Sequence, residues 1–324
     1  MYIRQNLRWS IIWRSAWRSV LILTIYNLVV CWFYVSGFRH LAIPWQPVAT
    51  LGTAVAFYIG FKNNGSYDRF WEGRQIWGGI VNTSRTWAIQ ALEFITSRVD
   101  APELTELRLP ATAVELTERH RRLIYRHIAW CNALRLQLRQ QRDTLWDGEV
   151  APFLSPDESE FMRQRANPPV HLLRKQAAEL RSLREERGLL NDFQHVNMMR
   201  TLEKLFDLQG GCERIKNTPF PRQYAFYSFL FVSVFSLMLP LGLLHEFDDL
   251  GPGLVWLTVP ASILVAWVFQ TIEVVGHTSE NPFENQMNDV PMQALCRTIE
   301  IDLREMLGET ALPPKIEPVG DVLL

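Results

Sequence analysis

The stretch that decides the interpretation of this chain is GFKNNGSYDRFWEGRQIWG, residues 60–78, which follows directly on a short apolar run at about Val48–Phe61. Its pattern remains helical but mixes polar, aromatic and charged residues. A helix that leaves lipid and continues as a polar helix must turn its polar part toward water or protein. The continuation suits a pore-lining element, and the mixed stretch itself indicates a helix that enters a crowded protein–protein environment. A helix that only anchors the chain at the membrane interface is the alternative.

Three further apolar runs lie at about Ser19–Phe38, Tyr224–Leu244 and Gly253–Val275. A helix of about 20 apolar residues crosses the roughly 30 Å of hydrocarbon in a bilayer. We therefore predict an all-α polytopic membrane protein with four transmembrane helices and a helical cytoplasmic domain. The run Val48–Phe61 is short for a crossing, and it completes one only if the helix continues into Lys62 and beyond.

Charge is segregated along the chain, and this segregation predicts its domains. The net charge is only −1, which gives no basic field for nucleic acid, but residues 63–220 are rich in charge and the apolar runs are almost free of it. We expect an interfacial N-terminal helix at 1–18, transmembrane helices at 19–61 and 223–276, a cytoplasmic helical domain at 62–222 and a cytoplasmic tail at 277–324.

Helical patterns within the predicted cytoplasmic parts lie at about Ala113–Gln141, Asp157–Ala166, Val170–Arg187, Leu189–Lys216 and Met292–Leu307. We expect a break at Asp100–Pro110, a proline-containing turn at Ala42–Pro47, and loops at Asp147–Pro156 and His245–Gly251. Positively charged residues flank the predicted cytoplasmic ends of the apolar runs, Lys62 among them, and the loop after the third run is acidic. The positive-inside rule then places both termini and the middle domain in the cytoplasm.

The chain carries none of the usual enzyme motifs. It has no HExxH, GxSxG, Walker or GxGxxG sequence. We interpret His120 and His127 as residues of a solvated helix face and expect neither enzymatic activity nor a cofactor. The four cysteines are far apart and form no CxxC pair, so we interpret them as reduced, buried thiols.

Three separated motifs carry a resemblance that covers nearly the whole chain. They are GFKNNGSYDRFWEGRQIWG (60–78), GCERIKNTPFP (211–221) and ENPFENQMNDVP (280–291), the last followed by IEIDL (299–303). In this order they resemble the bacterial members of the bestrophin family. The resemblance implies a homopentameric ion channel of the bacterial inner membrane, whose central pore is lined by the second helix of each subunit. Its partners would be copies of itself, membrane lipids and permeant monovalent ions.

The resemblance also places the constrictions of the pore. It implies a hydrophobic neck at Thr53, Phe57 and Phe61, which share one helix face because residues four apart drift by only about 40°. Thr53 departs from the usual apolar pattern and would make the outermost ring wetter. The alternative is that both phenylalanines face lipid or the core. A second constriction would lie at Phe193 beside Asp192, with Gln194 as the neighbouring candidate.

Calcium activation and ion sign are the remaining expectations from the resemblance. Asn281, Glu284 and Asp289 keep the frame of the calcium-binding segment of animal members, but most of its aspartates are absent, so we expect no bound metal and no calcium activation. Asp192 and the acidic loop favour monovalent cations, and an anion channel of the same fold is the alternative. A membrane-anchored scaffold is a second rival, and a transporter with Glu273 as its only intramembrane charge is a third.

Overall fold

The computed structural model describes residues 1–96, 111–251 and 253–324, and these ranges contain ten α-helices and no β-strand. The helices are α1 (Trp9–Val35), α2 (Trp45–Phe94), α3 (Ala113–Leu138), α4 (Arg142–Glu149), α5 (Pro156–Arg163), α6 (Pro168–Glu185), α7 (Asp192–Asn217), α8 (Arg222–Asp248), α9 (Thr258–Thr278) and α10 (Met292–Met306). The prediction of an all-α chain is confirmed. Short 3₁₀ turns lie at Arg39–Leu41, Ala151–Phe153 and Leu254–Leu257.

The chain divides into two compact units. The apolar unit comprises Arg4–Phe70 and Pro219–Asn281, and the polar unit comprises Met1–Ile3, Trp71–Thr218 and Pro282–Leu324. Helix α2 is 50 residues long and contributes to both units without a break. The later divisions fall at 70/71, 218/219 and 281/282, whereas we expected boundaries at 61/62, 222/223 and 276/277.

The apolar unit is built from α1, the first half of α2, α8 and α9. Three segments in the described residues are long and apolar enough to cross a membrane, namely Ala16–Val35, Arg222–Asp248 and Leu254–Thr278. They correspond to three of the four predicted crossings. The first half of α2 is not among them, because its mean hydropathy is diluted by glycine, threonine and the polar residues that follow.

Small residues let α2 and α8 approach closely inside the apolar unit. A Cβ placed on Gly52 would lie 2.7 Å from the ring of Phe235, and one on Gly242 would lie 2.9 Å from Val48. Around these contacts the core is apolar and closely packed, and its buried members are Leu23, Val48, Val55, Ile59, Val232, Phe235, Leu239 and Ala266. One face of α2 is thus fixed against the rest of the unit.

The polar unit is organised around α3, which packs against α4, α6, α7 and α10. Almost every residue from Leu123 to Leu138 is buried. The charged residues among them are paired, since Arg126 donates to Glu158 (2.6 and 3.2 Å) and Arg135 donates to Glu149 (2.8 Å). Buried guanidinium groups are tolerated only with such partners.

The N-terminal segment differs from the predicted interfacial helix at 1–18. Helix α1 begins at Trp9 and continues without interruption into the apolar run, because no glycine or proline separates the two. The residues before it form no helix, and the backbone N–H of Ile3 donates to Asp321 O (3.0 Å) while Leu323 N–H donates to Met1 O (2.9 Å).

Other boundaries also differ. Helix α4 forms where we expected the start of a loop, and it ends before Pro152, which cannot continue a helix. Helix α8 continues through His245–Asp248 of the predicted loop His245–Gly251, and Gly251 shortly after its end takes a positive φ of 144°. The expected break at Asp100–Pro110 lies outside the described residues. The interpretation of the four cysteines is confirmed, since all are free and buried.

Candidate ion pathway

Helix α2 has two different faces within the apolar unit. Val48, Val55 and Ile59 are buried in the core, whereas Phe57 and Phe61 are 67% and 71% exposed. Thr53 is exposed on the same side, and its hydroxyl donates to Ala49 O (3.0 Å). The three residues expected at the neck therefore share a face that the described residues leave uncovered. The hydroxyl of Thr53 is already used within its own helix, which makes this position less polar than its side chain alone implies.

The exposed face of α2 continues past Phe61 to Asn64 and Asp68. Asp68 lies seven residues beyond Phe61, which places it about 10 Å farther along the axis and within about 20° of the same direction. In the part of the chain that the structure describes, no cation lies within ion-pair distance of this carboxylate. The first ionisable group on this face after the aromatic rings is therefore an unpaired, solvent-facing acid.

A different side of α2, turned away from the exposed face, carries a buried charge. Lys62 is fully buried, and its ammonium lies 2.6 Å from Glu273 Oε1 and 3.3 Å from Glu280 Oε1. The sequence predicts that Lys62 is one of the positive residues flanking a membrane crossing and that Glu273 is the only candidate charge within the membrane. Both interpretations change, because the two residues form a buried pair.

The start of α7 holds the residues expected at the second constriction. Asn191 and Gln194 form a capping box, in which each side chain accepts the other's backbone N–H (2.8 and 3.1 Å). Phe193 projects outward and is 84% exposed. Of the two candidates, Phe193 is the residue with a free, projecting side chain, while the Gln194 amide is engaged in the cap.

Asp192 is not an isolated negative charge. Arg184, at the end of α6, donates to its carboxylate through Nε at 2.7 Å, and the side chains of Arg184 and Asp192 are 39% and 75% exposed. From the sequence we expect Asp192 to attract cations as a carboxylate without a partner, whereas the fold pairs it with this arginine. The pair carries no net charge, so its contribution to ion selection is smaller than we expected.

The segment that resembles a calcium-binding loop is stabilised by contacts within the protein. Asp289 is 2% exposed, and its carboxylate accepts the backbone N–H of Gln286 at 3.1 Å. Burial raises the pKa of Asp289 above its ordinary value, although several backbone N–H groups act in the opposite direction. Glu284 pairs with Lys216 (2.6 Å), and Asn281 is exposed. Within the described residues no three His, Cys, Asp or Glu side chains come together as a metal site would require.

The histidines are not the solvated face that we expected. His127 is completely buried, its Nε2 lies 2.8 Å from the hydroxyl of Ser84, and its ring stacks on Trp87. Burial lowers the pKa of His127 to about 3, so the ring is neutral. His120 is half-buried and contacts Ile95 O through Nε2 (2.9 Å). The interpretation was wrong for His127 because arginines next to it in sequence suggested a polar face, whereas α3 is central in its unit.

Three residues of this region were missed or misinterpreted from the sequence. Asp68 could have been found by following the same helix face for two turns beyond Phe61, since it lies seven residues farther along and in the same motif. Lys62 and Arg184 could not, because their roles depend on partners brought near by the fold. Glu273 is 211 residues from Lys62 in the sequence.

Comparison with known proteins identifies the family of the chain. The family described as "Bacterial/Fungal Bestrophin protein" matches residues 5–305. The chain is 26% identical to the "Voltage-dependent anion channel-forming protein YneE" of Escherichia coli strain K12, over 93% of this chain and 90% of that protein. It is 28% identical to "Voltage-dependent anion channel-forming protein RSc3414" of Ralstonia nicotianae, over 96% of each. A crystal structure of a bacterial bestrophin homologue from Klebsiella pneumoniae superposes with a TM-score of 0.76 at 26% identity, covering 91% of this chain and 98% of that one.

Proposed function

The chain belongs to the bacterial and fungal bestrophin family, and from this premise we propose that it forms a homopentameric channel for monovalent cations in the bacterial inner membrane. The proposal places both termini in the cytoplasm and the first half of α2 as a fourth membrane crossing. Conduction would be passive, with no chemical step and no cofactor. That the chain is an ion-channel protein of the membrane follows from the family, whereas its stoichiometry, ion sign and orientation are proposals.

The proposed neck consists of Thr53, Phe57 and Phe61, repeated five times around the pore axis. Exposed apolar side chains of this size need a partner in the assembled protein, because water is a poor environment for a phenyl ring. Facing one another across a narrow pore, they would exclude water and set a barrier that an ion crosses after partial dehydration. The uncovered position of both rings in the single chain supports this arrangement.

Asp68 is the observation that carries the choice of cations. It lies on the exposed face of α2 beyond Phe61 and has no cationic partner in the described residues. Five such carboxylates around a pore would raise the local concentration of cations and lower that of anions. Asp192 adds less to this argument than it did from sequence, because Arg184 neutralises it.

The experiment that tests the proposal is the reversal potential of the purified channel in planar bilayers under a potassium chloride gradient. We expect the unsubstituted channel to reverse near the potassium equilibrium potential and Asp68→Asn to move the reversal potential toward that of chloride. An unsubstituted channel that reverses near the chloride potential would make it an anion channel, the alternative that the names of the relatives favour.

Oligomer mass decides between the channel and the remaining rival, a membrane-anchored scaffold. Measured in detergent by light scattering or native mass spectrometry, a fivefold multiple of the 37.7 kDa chain supports the channel. A monomer that carries no current would support the scaffold.

We further propose a second constriction at Phe193. We also expect chelators and added calcium to leave the current unchanged, because Asp289 and Glu284 already have partners within the protein.

A further inference from the structure

A buried ion cluster ties α2 to α9 within the apolar unit. The Lys62 ammonium contacts both Glu273 and Glu280, whose side chains are only 10% and 7% exposed. The hydroxyl of Ser228 on α8 donates to the second oxygen of Glu273. A buried ammonium is tolerated when its partners are close and themselves hydrogen-bonded, and the loss of one partner leaves an uncompensated charge. The cluster therefore has one favourable arrangement and strongly resists separation.

Two neighbouring contacts support the same junction. The amide of Asn63 donates to Ile272 O (2.9 Å), and a Cβ added at Gly276 would overlap the side-chain oxygen of Asn63. Nearly two turns farther along α2, Arg69 Nε donates to Glu280 O at 2.9 Å. Residues 62, 63 and 69 of α2 thus all contact α9 or the residues that immediately follow it, and close packing leaves little freedom for rotation there.

The position of Lys62 relative to the exposed face of α2 couples this junction to the direction in which the phenyl rings point. At about 100° per residue, Lys62 lies roughly 140° around the helix from Phe57 and about 100° from Phe61. A rotation of α2 by about 20° would move side-chain ends by about 2 Å, given a helix radius of 5–6 Å with side chains. Such a rotation would swing the phenyl rings and would at the same time separate Lys62 from its carboxylates.

We propose that Lys62 is a positioning residue of the neck, which holds the rotational setting of α2 through Glu273 and Glu280 so that Phe57 and Phe61 face the pore. The inference rests on the proposed function for the identity of that face. The contacts on which it rests belong to a single chain. Lys62 touches no permeating ion and acts only through the orientation of the helix that carries the rings.

The test measures which face of α2 is accessible to water. Phe57→Cys reports the exposed face and Val55→Cys, 2% exposed, reports the buried face, each modified by a membrane-impermeant thiol reagent. The unsubstituted chain gives the background of its four native buried cysteines. The ratio of the two modification rates is then compared between the Lys62 background and the Lys62→Met background.

We expect Lys62→Met to lower this ratio by at least about tenfold, which corresponds to about 1.4 kcal/mol. Lys62→Arg should restore it, since a guanidinium keeps the charge. The matched control is Ser66→Ala, which lies buried one turn farther on the same face and whose hydroxyl donates only to Lys62 O within the helix (3.2 Å). It should leave the ratio unchanged.

A variant that fails to fold would not end the test. Lys62→Met combined with Glu273→Gln and Glu280→Gln removes the ammonium together with both of its carboxylates, so none of the three is left as an uncompensated buried charge. The positioning role is overturned if Lys62→Met, or this combined variant, folds and keeps the original ratio of modification rates. The thiol measurement needs no current, so an unsubstituted chain that carries none would count against the proposed function and not against the role of Lys62.

Discussion

The ion pair of Asp192 and Arg184 allows the second proposed constriction to be tested with charges of either sign. The two side chains are 2.7 Å apart at the surface, on neighbouring helices. Asp192→Asn leaves an unpaired guanidinium in every subunit, and Arg184→Gln leaves an unpaired carboxylate. If five copies surround the exit of a pore, the ring charge changes from zero to about five positive or five negative charges, while Phe193 beside it remains.

The size of the effect follows from Coulomb's law. For charges about 10 Å from the axis in water, five of them interact with a passing ion by roughly 2 kcal/mol, and physiological salt screens this to roughly 0.6 kcal/mol. Cations and anions feel opposite signs, so their relative permeability changes by about twice that energy, or about sevenfold. In a tenfold salt gradient, whose limit is about 59 mV, this corresponds to a shift of about 35 mV.

Planar bilayers with purified channel provide the assay, with tenfold different potassium chloride on the two sides. We expect Asp192→Asn to move the reversal potential by up to about 35 mV toward the chloride potential, and Arg184→Gln to move it by less toward the potassium potential, because the unsubstituted channel already reverses near that limit. Raising the salt on both sides at a constant ratio should shrink both shifts, because the Debye length falls to about 3 Å at 1 M.

A matched control lies elsewhere in the polar unit. Asp147 and Arg163 form an ion pair at 2.8 Å whose side chains are 74% and 40% exposed, almost identical to the values for Asp192 and Arg184. Asp147→Asn and Arg163→Gln should leave the reversal potential unchanged. Equal shifts for both pairs, or intact currents with no shift in either Asp192 or Arg184 variant, would show that the start of α7 is not beside the ion path.

Three further predictions concern the neck, the core and pH. Phe57→Ala with Phe61→Ala should raise single-channel conductance and cost about 1–2 kcal/mol of unfolding free energy per ring, since both rings are mostly exposed already. Arg126→Met should cost about 3–5 kcal/mol in thermal unfolding because it strands a buried carboxylate, whereas Arg121→Met, at an exposed pair, should cost almost nothing. Burial raises the pKa of Asp289, so the fold favours the neutral form of its carboxyl. Asp289→Asn should therefore raise the melting temperature at neutral pH. This gain should vanish as the pH falls from the raised pKa of the folded protein to the ordinary value of 3.8 in the unfolded chain.

The helices were predictable wherever local pattern determines them. The three long apolar runs became α1, α8 and α9, and the mixed sequence after Phe61 continued α2 as expected, since nothing in it stops a helix. Departures occurred where composition was a poor guide. Asp147–Pro156 has the glycine and prolines of a loop, yet its first three residues complete α4, which is anchored by the buried side chain of Trp146.

The positions of charged residues along the chain could be used for prediction, but the partners and burial of their side chains could not be predicted. Lys62 follows an apolar run, as a residue at a membrane boundary would, and only the fold reveals two carboxylates more than 200 residues away. Asp192 looked like a carboxylate without a partner because Arg184 precedes it by eight residues and lies on another helix. His127 looked solvated because charged neighbours surround it in sequence. In each case the partner that decides the role comes from tertiary contacts.

The weak hydropathy of the first half of α2 has a physical explanation that joins these observations. One face packs closely on α8 at Gly52 and is held by the Lys62 ion cluster, while the described residues leave Thr53, Phe57 and Phe61 uncovered. A helix packed against protein on one side and facing a pore on the other meets little lipid, so it is not under the constraint that makes α1, α8 and α9 uniformly apolar. In the proposed channel α2 takes that position, which accounts for its low apolar content and requires its rotation to be fixed by contacts stronger than hydrophobic packing alone. The ion cluster at Lys62 supplies them on the side away from the phenyl rings.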